Sequence, residues 1–123
     1  MPYQDLTREL GALQFTHITV DVSHSRRELR EVLARNNPGV KLHIPPIDFA
    51  HREAFLVAVG PRSSTGYALH TVRVHQIGGH VDVVVRERTP TLGEPVQARV
   101  TYPYLLLALD SDKPVQLKLM GRP

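Results

Sequence analysis

Residues 54–67 read AFLVAVGPRSSTGY, an apolar run that stops at Gly60-Pro61, crosses a polar loop and resumes at an aromatic after Gly66. This is strand, stiff loop, strand. Phe55, Leu56, Val57 and Val59 suit a pleated, buried surface. Gly60 and Gly66 are expected to take the positive φ of a sharp loop, and Pro61 fixes one further dihedral. Arg62, Ser63, Ser64 and Thr65, small or charged, are read as exposed, on the kind of rigidly supported loop that carries binding residues.

Upstream, LQFTHITVDV (13–22) reads as a first strand with Ile18, Val20 and Val22 on one apolar face. Ser25 followed by Glu28 is a capping-box pattern, and Leu29, Val32 and Leu33 recur at helical spacing, which predicts a helix over 25–36 ended by Asn37-Pro38-Gly39. Val40 to Ile44 could form a short strand before the extended linker at Pro45-Pro46. Downstream, 67–76 and 81–88 form a hairpin about Gly78-Gly79, with Val81, Val83 and Val85 on one face. TPTLGEP (89–95) breaks the chain, and strands are expected at 96–102, 104–109 and 115–119. YLLLAL, from Tyr104, is apolar on both faces, as a strand covered on both sides would be. The whole is a mainly β fold, a two-layer sandwich or rolled antiparallel sheet with one N-terminal α-helix packed on it.

A length of 123 residues predicts a single domain, and 41% hydrophobic with 22% charged residues is the balance of a folded rather than a disordered chain. The longest apolar run, Leu105 to Leu109, is far short of a membrane span. The N-terminal segment has neither the basic start nor the long apolar stretch of a secretory signal, so the expected location is cytoplasmic or that of a mature exported form. With no cysteine there are no disulfides and no thiolate chemistry. The formal charge of +3 is spread along the chain without interleaved aromatics, which argues against nucleic acid.

Seven histidines (17, 24, 43, 51, 70, 75 and 80) show no metal-ligand spacing, and His70 and His75 are placed on opposite strand faces, so no metal and no cofactor are expected. The serines lie in cap and turn contexts without a GxSxG elbow, and no phosphate-binding motif is present. Asp82, Glu87, Asp110 and Asp112 are the conceivable acid/base pairs, three of them read as turn or exposed strand positions. The chain is therefore not expected to be an enzyme.

In order, IDF, FLVAVGPRSSTGYALHTVRV, GGHVDVVVRERTP and VTYPYLLLAL resemble the C-terminal domain of the protease complex subunit PrcB family, through Phe49, Gly60, Thr65, Gly66, Tyr67, Pro90, Pro103 and Tyr104. The resemblance runs over about 47–119, leaving 1–46 as an N-terminal strand and helix. It departs from the family in the loop, where the proline usually lies nearer the Thr-Gly, and in having no leader before the domain. What it implies is an accessory or maturation factor of a protease complex, acting by binding a protein partner, a protease among the candidates. The binding residues are then Gly60, Arg62, Ser63, Ser64, Thr65, Gly66, Tyr67 and Tyr104. Two alternatives stay open. Ser63-Ser64-Thr65-Gly66-Tyr67 is similar to the second half of the inhibitory loop of chagasin-like cysteine protease inhibitors, with Gly78-Gly79 in the place of another loop. A structural β domain that forms a homodimer through an open sheet edge is the other.

Overall fold

The computed structural model describes residues 1–121. Seven strands form two sheets. The first sheet has the order β1 (Tyr3–Asp5), β6 (Tyr104–Leu109), β3 (Glu53–Val59), β2 (Ile18–Ser23), antiparallel throughout. The second has the order β4 (Ala68–Ile77), β5 (His80–Arg88), β7 (Val115–Met120), with β5 and β7 parallel. The sheets pack face to face, and the outer side of the first carries a helical layer made of α1 (Thr7–Leu10), α2 (Arg26–Asn36) and the irregular segments beside them. The chain is a mainly β sandwich with helices on one outer face.

Strands β3 and β6 are buried along their whole length because both of their faces are covered. Ala54, Leu56, Ala58, Tyr104, Leu106 and Ala108 meet the helical layer, where Phe15, Leu29 and Leu33 are fully buried. Alternate residues Phe55, Val57, Val59, Leu105, Leu107 and Leu109 meet Val81, Val83 and Val85 of the second sheet. The alanines on the helix side let the layer approach closely, and the larger side chains on the other side fill the gap between sheets. Helix α2 starts as its sequence says: Ser25 Oγ accepts from Glu28 N at 3.1 Å, and Glu28 Oε1 accepts from His24 N at 2.8 Å.

Several local expectations change. The first strand begins only at Ile18, because Phe15 turns into the helical layer, and Ile18 and Val20 stay exposed beyond the reach of the second sheet. Residues 40–44 and 96–102 are not strands; the latter run is flanked by Pro95 and Pro103 and makes a single bridge, Thr101 to Arg62. A bulge between Thr71 and Arg73 reverses the alternation of β4, so His70 and His75 share a face. They sit opposite Arg86 and Asp82, about 13 Å apart along the strand at ~3.3 Å per residue, still too far to share an ion. Short elements β1 and α1 were not foreseen.

Glu53 closes one end of the inter-sheet core. It has no exposed surface, and neither carboxylate oxygen has a hydrogen-bond partner; His24 Nδ1 is 3.9 Å away. Burial raises its pKa above the ordinary 4.5, with His24 and Ser111 opposing and Asp112 adding to the rise. Folding then favours the protonated acid, so this contribution to stability is full below the unfolded pKa and is lost as pH rises through the folded one. Glu53→Gln should therefore be more stable than wild type at pH 7 and lose less stability between pH ~4.5 and neutrality, as urea denaturation across that window would measure. Equal pH dependence in the two proteins would contradict the assignment.

Candidate functional site

At the end of β3 the chain turns out of the sheet at Gly60, whose φ of +83° is strained for any residue with a Cβ. The side chain of Arg62 then folds back inward. Its Nε and Nη2 fork onto Glu87 of β5, the second contact at 3.1 Å, and Nη1 donates to the carbonyls of Val59 and Pro61, each at 3.0 Å. The Arg62 side chain is 19% exposed and that of Glu87 6%, so the pair is largely withdrawn from water. The hydrogen bond to Glu87 raises the Arg62 pKa, against burial. Arg62 is thus a bolt between loop and sheet rather than the free surface charge expected from its position in sequence.

The backbone of the loop is zipped to the segment 97–101. Arg62 N donates to Thr101 O at 2.8 Å and Thr101 N to Arg62 O at 2.9 Å; Thr65 N donates to Gln97 O at 3.1 Å. Gln97 N donates to Thr65 Oγ1 and Thr101 Oγ1 to Ser64 O, both at 2.9 Å. Ser64 is buried, its Oγ accepting from Gly66 N at 3.2 Å. Gly66 does not have positive φ. What requires glycine there is space: a Cβ would lie 2.6 Å from Pro90 Cβ and 2.7 Å from Val96 Cγ1. Arg88 completes the clasp by donating from Nη1 to Gly66 O at 2.8 Å while Nη2 pairs with Glu94 at 2.6 Å.

Of the loop residues read from the sequence, Ser63 and Thr65 are exposed and Tyr67 is half-buried, while Gly60, Ser64 and Gly66 are buried. Beside Ser63 and Thr65, the strap from 89 to 101 exposes Val96, Val100 and Leu92, the last fully at 106%. Leu92 stands on a turn in which Glu94 N donates to Thr91 O at 3.0 Å and Glu94 Oε1 accepts from Thr91 N at 3.2 Å. Nothing in a run of Pro, Thr, Gly and Glu marks this strap as part of a site. The signal available was Arg62 itself, an arginine between two turn residues that needs a carboxylate.

Tyr67 and Tyr104 border one open groove of about 740 Å³, with Asp5, Thr7, Arg8 and Thr101. Tyr104 is a structural member of it: its hydroxyl donates to the carbonyls of Thr7 and Gly11, and its ring lies 5.2 Å from that of Phe15. Burial, helped by Asp5, pushes its pKa up to about 12. Asp82 and Glu87, candidate acids by sequence, are buried and committed to cations. Burial would raise the Asp82 pKa, but Lys118 at 3.2 Å and His80 at 2.9 Å hold it below the ordinary range. Among the described residues, no three His, Cys, Asp or Glu side chains are placed to hold a metal. The Gly78-Gly79 turn lies at the far end of β4 from Tyr67, ten residues or about 30 Å away.

A helix-backed β sandwich that clasps one rigid loop at its end is the class these features define. Residues 54–110, from β3 to the end of β6, match the family model described as PrcB C-terminal. The match contains loop, clasp and hairpin, and is narrower than the span read from sequence. No curated protein and no solved structure matches the chain.

Arg62→Ala should destabilise the fold by about 2–3 kcal/mol, toward the low side for a broken buried pair because Arg62 keeps some exposure. Gly66→Ala should cost about 1–3 kcal/mol through the clash with Pro90 and Val96, and Ser63→Ala should stay within about ±0.5 kcal/mol. Chemical denaturation of the three variants checks the order. A neutral Arg62→Ala would remove the bolt from the account.

Proposed function

We propose that the chain is a non-catalytic protein-binding domain that serves a protease complex as an accessory or maturation factor, and that it meets its partner through the loop 60–67 and the strap 89–101. The observation that carries this reading is pre-organisation. Two ion pairs, Arg62–Glu87 and Arg88–Glu94, and the paired backbones hold both segments in place, while Ser63, Thr65 and Leu92 face outward. A surface already ordered before binding loses little entropy on association, and an exposed apolar side chain on a fixed turn is suited to act as an anchor in a partner's pocket. The protease-complex context comes from the PrcB C-terminal match, which contains both segments.

The test is a pull-down with the intact chain as bait, followed by affinity measurement for the captured protein. A protease or protease-complex subunit is expected, bound at least about tenfold more weakly by Ser63→Asp or Leu92→Asp at unchanged melting temperature, since one desolvated anchor is commonly worth more than 1.4 kcal/mol. Wild-type affinity in both folded variants would remove the loop and strap as the contact surface.

A further inference from the structure

Each sheet ends in two edge strands, and three of the four are blunted. Strand β1 is three residues long and follows Pro2. Strand β4 carries the bulge at Val72 and the exposed Arg73 beside it. Strand β7 begins behind Lys113-Pro114 and has Lys118 in its middle. Short length, proline, bulges and basic side chains are the devices by which open edges avoid each other. Strand β2, ITVDVS, has none of them: its pairing with β3 is regular over all six residues, and it contains no proline, lysine or arginine.

This edge is also apolar on one side. Ile18, Val20 and Val22 lie opposite Val59, Val57 and Phe55, so they point toward the inter-sheet side, yet Ile18 is 79% and Val20 51% exposed because the second sheet stops short of them. Among the described residues no backbone hydrogen bond joins β2 to any strand but β3.

We propose that a second copy of this chain covers this edge, its β2 pairing antiparallel with the first about a two-fold axis at Val20. The sequence is self-complementary in that register. Ile18 meets Val22 of the other copy, Val20 meets Val20, and Thr19, whose hydroxyl donates to His17 O at 3.1 Å within the chain, meets Asp21, a polar pair on the other face. Asp21 already accepts from Ser23 Oγ at 2.7 Å, so it is held on the opposite face from the valines. A shift of one residue would set apolar side chains opposite polar ones on the same face, and centring on Asp21 would oppose two carboxylates. Only the axis at Val20 aligns all three apolar residues and separates the acids. The two four-stranded sheets then run on as one.

The chain has no cysteine, which makes the axis directly testable. Directly opposed residues of an antiparallel pair have Cα atoms about 4.5–5.5 Å apart, within disulfide range. Val20→Cys should therefore cross-link to its own copy under mild oxidation, while Val72→Cys, on the bulged edge and also 51% exposed in the wild type, should not. Sedimentation equilibrium of the wild type should show a monomer–dimer equilibrium, with the dissociation constant at least about tenfold higher in Val20→Lys and in Ile18→Lys at unchanged melting temperature. A wild type that stays monomeric overturns the proposal, as pairing with a strand of some other protein would also require. Equal cross-linking at positions 20 and 72, or a dimer undisturbed by both lysines, overturns it too.

Discussion

The pairing of β3 with β6 is the constraint on which everything else rests. Glu53↔Leu109 through Ala58↔Tyr104 are in register, and all of these residues are buried. A strand pair buried on both faces needs two covering layers, and the chain supplies both: the N-terminal segments and α2 on one side, and on the other the β4–β5 hairpin that runs between β3 and β6 together with β7. Because the central pair has no polar side facing water, its sequence loses alternation and becomes two continuous apolar runs. Its ends must then return quickly to polar chemistry, and the polar residues that matter sit there. Glu53 lies at one end and the Arg62–Glu87 pair at the other.

The two ends differ in how well their charges are satisfied. Glu87 receives a fork of donors from Arg62, which also caps the carbonyls of Val59 and Pro61 as the strand frays into loop. Such a pair offsets the cost of desolvating both ions mainly by geometry, and its gain is the fixed direction of the loop. Glu53, with no fork of donors and only the weaker opposition of His24 and Ser111 to its burial, lacks such compensation and is pushed toward its neutral form. The rigid end of the sandwich is the one that carries the exposed loop and strap; the other end carries an acid sensitive to pH.

How much of this was legible follows from whether the cause was local. The strands 54–59, 67–76, 81–88, 104–109 and 115–119 and the helix at 25–36 announce themselves through apolar runs, alternation and a cap, and each is present within a residue or two. The bulge at Val72 was invisible because it follows from fitting β4 to β5, not from the composition of either. Alternation at 96–102 misled for the opposite reason: the pattern suits a strand, but the segment lies on the loop 60–67 with no sheet to join. In the candidate site, the glycines and tyrosines named from the sequence as binding residues have structural causes of their own. Gly66 is required by Pro90 and Val96, more than twenty residues on, and Tyr104 by the carbonyls of Thr7 and Gly11. Long-range partners of this kind leave no local trace.

The family match begins at Ala54 and ends at Asp110, yet a chain cut at those points would lack what covers its own core. Leu56 and Leu106, both at 0% exposure, would lose Phe15, Leu29 and Leu33, and the valines of β5 would lose Val115 and Leu117 of β7. Uncovering fully buried leucines at about 1.5–3 kcal/mol each removes a large share of the 5–15 kcal/mol by which most domains are stable. The matched span is therefore the part of the fold whose local pattern is distinctive, whereas the part that folds extends on both sides of it. That extension is also where β2 lies. The same N-terminal segment that closes one face of the central pair brings with it the one edge that, among the described residues, is blunted by neither short length nor a proline, bulge or basic side chain.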